Sequence, residues 1–264
     1  MSGHEARPPV VFLHGAMSDR RAWAGQAERL AAAGRSVSNL DLPGHGARAG
    51  EGGGRDLAGL AAGVREAALA HGAPVLVGWS LGAAVAMRLA LDGADLAGLV
   101  LVGATPQAVA DEGFAHALTP GAAKQRDQGL RAGYPATARL FARQVAPEDE
   151  GAKALVEEMA LACPPETARA VFDAAWTDGV TRELDHLTTP SVLIHGDADR
   201  VVPIEAGRYL ERTLPGSRGL HVLEGVGHAP QLSAPDLFAG ALGDALESLA
   251  AHAPEVPRGD QPVR

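Results

Sequence analysis

The sequence predicts an α/β fold: a mostly parallel, doubly wound sheet of about six strands, with a helical cap inserted in the second half of the chain. Three observations carry this reading. Short apolar runs bounded by turn residues recur, each followed by a segment of helical composition. That rhythm stops after residue 105 and resumes near residue 188, with a proline-punctuated helical stretch between. The 264 residues are 46% hydrophobic but only 4% aromatic, so the chain can bury a sizeable core and that core is aliphatic.

Val10-Val11-Phe12-Leu13, between Pro8-Pro9 and His14-Gly15, has the pattern of a buried parallel strand. A helix is expected from about Arg20 to Ala33, stopped by Gly34. Ser36 to Leu42 reads as the second strand and runs into Asp41-Leu42-Pro43-Gly44-His45-Gly46. Gly50 to Gly54 is a loop, and Asp56 to Ala70 a helix ended by Gly72. Val75-Leu76-Val77 leads into Gly78-Trp79-Ser80-Leu81-Gly82, and the alanine-rich segment to Leu91 favours helix. Leu99 to Val102 is a further buried strand. Residues 106–187 form the expected cap, where Leu140, Phe141 and Val145, then Leu155 and Met159, recur at helical spacing. The strands then resume with Ser191–His195, a helix from Ile204 to Leu214, a strand from Gly219 to Leu223 and an amphipathic helix from Pro235 to Ala251. The core is therefore assigned to residues 1–105 and 188–252, and the polar stretch 253–264 to a disordered tail.

Twenty-three Lys and Arg against 32 Asp and Glu give a net charge of −9, which argues against a nucleic-acid or anionic-membrane partner. Cys163 is the only cysteine, so no intramolecular disulfide can form. Met1 to Pro9 lacks the apolar stretch of a signal peptide, and no run approaches the about 18 apolar residues of a membrane span. A cytoplasmic location is expected.

In a parallel sheet ligands bind beyond the carboxyl ends of the strands, so the residues just after each strand matter most. Gly78-Trp79-Ser80-Leu81-Gly82 places a serine at a sharp strand-to-helix turn, where only small residues fit two positions either side. A serine hydroxyl is a weak nucleophile unless an imidazole takes its proton, and the imidazole needs a carboxylate to fix its tautomer. His228, in Gly225-Val226-Gly227-His228-Ala229-Pro230, follows the last strand. His45, His71, His195, His221 and His252 lie before the serine, within strands or at helix ends. The acid comes from His195-Gly196-Asp197-Ala198-Asp199: Asp199 reaches further back and is favoured, while Asp197 is better placed to order the turn. No carboxylate follows the Leu99–Val102 strand in Gly103-Ala104-Thr105-Pro106. The expected catalytic set is Ser80, Asp199 and His228, with backbone N–H groups of Leu81 and Ala16 as the oxyanion hole. Trp79, Phe141 and Trp176 are candidate substrate-pocket walls.

Two other patterns fail on context. Gly44-His45-Gly46-Ala47-Arg48-Ala49 matches a loose dinucleotide motif, but the following glycines oppose the helix it requires. His195, Asp197 and Asp199 alternate on one strand end and do not converge as metal ligands, so neither cofactor nor metal is expected.

Together these motifs resemble the α/β-hydrolase superfamily across essentially the whole chain outside the tail. The segments Asp41-Leu42-Pro43-Gly44, Gly78-Trp79-Ser80-Leu81-Gly82, Gly103-Ala104-Thr105-Pro106, Tyr134-Pro135-Ala136-Thr137-Ala138-Arg139-Leu140-Phe141 and Gly227-His228-Ala229-Pro230 are similar to the carboxylesterases of biotin synthesis. Members of that family cleave the methyl ester of pimeloyl-acyl carrier protein. The resemblance implies a serine carboxylesterase acting through an acyl-enzyme, and cap arginines (Arg126, Arg131, Arg139, Arg143) facing an acidic carrier protein. It also implies a leading β-hairpin, for which nine residues leave little room, so a trimmed sheet edge is expected. A lactonase, a thioesterase or a C–C bond hydrolase would use the same residues; a binding module for a ligand or carrier protein would not require them.

Overall fold

The computed structural model describes residues 7–51, 54–174 and 178–251. The predicted tail, Trp176 and part of the Gly50–Gly54 loop lie outside these residues. Six strands form one sheet: β1 (Val10–Leu13), β2 (Val37–Leu40), β3 (Val75–Trp79), β4 (Gly98–Val102), β5 (Ser191–Gly196) and β6 (Ser217–Leu223). Their order is β2-β1-β3-β4-β5-β6, and each neighbouring pair of these strands is parallel. The order reverses between β1 and β3, so β3 lies at the sheet's centre and its carboxyl end opens into the crevice where such sheets bind ligands.

Strand alternation sorts the core into two layers. Val10, Phe12, Val75, Val77, Val100, Val102, Val192 and Ile194 share one face with residues of the last long helix, α10 (Pro235–Ala250), notably Phe238, Leu242 and Leu246. Val11, Leu13, Leu76, Leu99, Leu101 and Leu193 line the other, against α2 (Leu57–Leu69), α3 (Leu81–Leu91) and α8 (Ile204–Thr213). Both faces of β1, β3, β4 and β5 are buried throughout, which is why those strands read as continuous apolar runs.

The first predicted helix is in two parts: a 3₁₀ turn at Arg20–Trp23, then α1 (Ala24–Ala32). Asp19 caps the turn by accepting from the N–H of Arg21, and the Trp23 indole donates to the Leu13 carbonyl, which sets the tighter geometry. Between β4 and β5 stand α4 (Pro120–Ala132), α5 (Tyr134–Val145), α6 (Glu150–Ala162) and α7 (Pro165–Ala174). Proline at the first or second position of α4 and α5 explains why each new helix begins there. Side chains of Thr119 and Asp149 cap α4 and α6. A short helix, α9 (Pro230–Ser233), connects the His228 loop to α10.

Candidate active site

Ser80 stands between β3 and α3 with φ +54° and ψ −112°, a conformation non-glycine residues rarely adopt. Its N–H donates to the Val102 carbonyl, tying the turn to β4. The turn survives because its neighbours lack side chains. A Cβ on Gly78 would fall within 2.6 Å of Ala83 Cα, and one on Gly82 within 2.7 Å of the His14 carbonyl oxygen. Leu81 opens α3, so its N–H belongs to the group of four that has no partner inside the helix. Ala16, in the turn after β1, lines the same pocket as Ser80 and Leu81.

That β1 turn is fixed by His14, which is fully buried. Its Nε2 accepts from the Leu42 N–H at 3.0 Å, so the proton sits on Nδ1, which donates to the Gly15 carbonyl. Burial lowers the pKa of His14, and burial with the neighbouring His14 brings that of His45 down to about 3. The two rings lie edge to face at 5.1 Å, both neutral at pH 7. This pair joins the loops beyond β1 and β2.

His228 and Asp199 meet directly. His228 Nδ1 donates to Asp199 Oδ2 at 2.6 Å, and both side chains are buried. Asp199 Oδ1 accepts from the N–H groups of Val201 and Val202, at 2.7 and 2.8 Å. A second imidazole serves the same carboxylate: His195 Nε2 lies 3.3 Å from Oδ2 and 3.0 Å from the Val202 carbonyl. Both neighbours are acceptors, so His195 carries its proton on Nε2. Burial would push the Asp199 carboxyl up, but the charge of His228 and hydrogen bonds from both imidazoles outweigh it, holding Asp199 well below the usual carboxylate range. Asp197 is used differently, accepting from the Gly225 N–H at 2.6 Å to close the loop before His228.

The His228 backbone is clamped from three directions. Its N–H donates to Val145 at the end of α5, the adjacent Gly227 N–H donates to Glu148, and its carbonyl accepts from the Trp79 indole at 2.7 Å. Cap, sheet and histidine loop are thereby locked together. Glu148 gave no signal in the sequence, since its partner is a backbone group 79 residues away. His228 Nε2 is buried with no partner, and no hydrogen bond joins it to the Ser80 hydroxyl among the described residues. The imidazole ring lies 5.6 Å from that of Trp79, the residue before Ser80, and neither His228 nor Asp199 is among the residues that line the pocket at Ser80.

The pocket beyond β3 is walled by Ala16, Ser80 and Leu81 from the core and by Phe141, Val171 and Phe172 from the cap. Phe141, a candidate pocket wall in the sequence, lines this cavity. Trp79 does not: it is 1% exposed, its ring lies against Gly15, and it takes no part in the pocket wall. As the last residue of β3 it shares the inward face of Val75 and Val77, so strand alternation carries it beneath the site. Of the cap arginines, Arg131 pairs with Asp127 and Asp173, and Arg139 with Glu157. Arg143 is exposed, while Arg126 turns into the pocket, away from the surface role expected of it. No group of three or more His, Cys, Asp or Glu side chains able to hold a metal occurs among the described residues, and no helix there is long and apolar enough to cross a membrane.

Residues 10–241 match the model of the alpha/beta hydrolase family. The chain belongs to that family. It is 31% identical over 252 residues to the pimeloyl-acyl carrier protein methyl ester esterase of Neisseria meningitidis serogroup B, covering 92% of this chain and 94% of that protein. The esterase of the same name from Nitrosomonas europaea is also 31% identical, over 241 residues, covering 88% and 92%. In structure this hydrolase superposes on an esterase from Exiguobacterium antarcticum with a TM-score of 0.85 at 21% identity, over 91% and 92% of the two chains, a likeness of fold.

Proposed function

We propose that this alpha/beta hydrolase is a serine carboxylesterase in which Ser80, His228 and Asp199 cleave the methyl ester of an acyl chain through an acyl-enzyme. The observation that carries the reading is the Asp199–His228 pair: with its Nδ1 proton committed to a carboxylate at 2.6 Å, the imidazole keeps Nε2 free to accept a proton. Ser80 is the hydroxyl at the pocket wall that supplies it. Catalytic hydrogen bonds of this kind are often long before substrate binds, and the ester draws the pair together.

In the first half-reaction His228 takes the Ser80 proton as the oxygen attacks the ester carbonyl. The resulting oxyanion accepts from the N–H groups of Leu81 and Ala16. Collapse expels the alcohol, which takes its proton from the His228 imidazolium, and leaves the acyl group on Ser80. Water then attacks the acyl-enzyme with His228 again as base, releasing the carboxylic acid and restoring the serine. Asp199 stays ionised throughout and stabilises the imidazolium. No metal or cofactor enters these steps.

The apolar cap wall, Phe141 with Phe172 and Val171, suits an aliphatic acyl chain. The names of the Neisseria and Nitrosomonas relatives favour a methyl ester of a dicarboxylic acyl chain carried on an acyl carrier protein, with a free acyl chain as the alternative. For a carrier the exposed Arg143, beside the exposed Leu140, is the favoured contact, because Arg131 and Arg139 are already neutralised locally. The enzyme acts in the cytoplasm on this reading. Hydrolysis of methyl and p-nitrophenyl esters of graded chain length, beside lactones and a methyl-ester-loaded carrier protein, tests the assignment. Ser80→Ala should remain folded and lose at least about 10³-fold in turnover. Turnover close to wild type in that variant refutes it.

A further inference from the structure

Arg126 lies on α4 and enters the same pocket as Ser80, from the opposite wall. Its guanidinium carbon stands 5.4 Å from the ring centre of Phe172 and 5.8 Å from that of Phe141. Among the described residues it makes no hydrogen bond and no ion pair, unlike Arg131 and Arg139 on the neighbouring surface. The two carboxylates of the wall are engaged elsewhere: Asp127 pairs with Arg131, and Asp178 accepts from the Leu57 N–H. Burial accordingly lowers the pKa of Arg126, with no neighbouring charge to offset the effect.

A guanidinium stays protonated at any physiological pH, so the pocket holds an uncompensated positive charge. Taking such a charge from water without a counter-ion is costly, and two aromatic faces return only part of that cost. The remainder is recovered when an anion enters the pocket. The planar fork of five donors matches a carboxylate, and the two phenyl faces hold it in place.

We propose that Arg126 binds a carboxylate at the far end of the acyl chain, so that the preferred substrate is the half-ester of a dicarboxylic acid. Its ester lies at Ser80 and its free acid at Arg126. The proposal rests on the esterase reading, and it specifies the substrate class of that same pocket. The sheet side of the site supplies the chemistry, and the cap side supplies the charge that selects the chain.

The test compares monomethyl esters of straight-chain dicarboxylic acids of graded length with the dimethyl diesters of the same length. Wild type should prefer the half-ester at one favoured chain length, read as the ratio of kcat/KM values. Arg126→Gln should lower that ratio about tenfold to a hundredfold, the worth of a hydrogen-bonded charge pair, while Arg126→Lys keeps part of it. A wild-type ratio near one, or a ratio unchanged by Arg126→Gln, overturns the proposal. A 4′-phosphopantetheine thioester of the same half-ester is the third substrate. Dependence on Arg126 confined to that compound would place the anion on the carrier arm and also overturn it. Calorimetry separates this from failure of the esterase reading: Ser80→Ala should bind the half-ester, and adding Arg126→Gln should abolish binding. Retention of binding in the double variant counts against Arg126 even if the chemistry proves to belong to another residue.

Discussion

Replacing Asp199 with asparagine probes the site more sharply than deleting it. The two N–H donors of Val201 and Val202, at 2.7 and 2.8 Å from Oδ1, require an acceptor, so they hold the amide oxygen on their side. The amide nitrogen is then forced to face His228 Nδ1, where the carboxylate oxygen stood at 2.6 Å. A donor there makes Nδ1 the acceptor and moves the imidazole proton to Nε2, the atom that must accept from Ser80. The variant should therefore keep its fold and lose about 10³- to 10⁴-fold in kcat, equivalent to about 4–5.5 kcal/mol of transition-state stabilisation. His195 Nε2, which carries a proton 3.3 Å from the same carboxylate, also loses an ionic acceptor. Stability should fall by about 1–3 kcal/mol for that reason. The assay is p-nitrophenyl ester hydrolysis with urea unfolding in parallel. Asp197→Asn is the control, because an amide oxygen can still accept from Gly225, and its turnover should stay close to wild type. Folded Asp199→Asn retaining more than about a tenth of wild-type kcat would refute the tautomer argument.

Phe141, 7% exposed and edge to face with Phe172 at 6.5 Å, bounds the pocket on the cap side. Phe141→Ala should shift the optimum acyl length upward in a graded ester series and destabilise the fold by about 3 kcal/mol or more; an unchanged chain-length profile argues that it only packs. The buried His45, with its pKa near 3, makes stability depend on acid. Its unfolded pKa is about 6.5, so the unfolded chain binds the proton first. Its contribution is complete above about pH 6.5 and is lost as pH falls towards 3. Unfolding free energy at pH 5 should lie about 2 kcal/mol below that at pH 7, with buried His14 adding to the same direction. Urea midpoints measured at both values check this, and His45→Gln should flatten the difference. A midpoint independent of pH contradicts the assignment of neutral buried imidazoles.

The strands were legible because four of them are buried on both faces, which leaves an apolar run with glycine or proline at its ends. The turn around Ser80 was legible for a related reason: close backbone approach at Gly78 and Gly82 permits no side chain. The preference for Asp199 over Asp197 followed from loop position, and the two carboxylates do face different partners, His228 and Gly225. What escaped were contacts that only the folded backbone brings about. Glu148 holds the Gly227 backbone, His195 reaches Asp199 around a loop, and His14 joins β1 to the Leu42 turn. None of these leaves a local pattern, because each partner is a backbone group or a residue fixed by the fold. Trp79 was assigned to the pocket from its position beside Ser80, although the alternation Val75, Val77, Trp79 already pointed it inward. Arg126 was grouped with surface arginines, since spacing on a helix gives no indication that a cap will fold one of them over a cavity.

The most direct test of the central claim is covalent labelling with a fluorophosphonate, followed by peptide mapping of the site of attachment. A hydroxyl activated by the His228–Asp199 pair should take up one equivalent of phosphonate on Ser80, with labelling lost in Ser80→Ala and strongly slowed in His228→Ala. A folded wild-type protein that stays unlabelled, or carries the label on a different serine, would contradict the account.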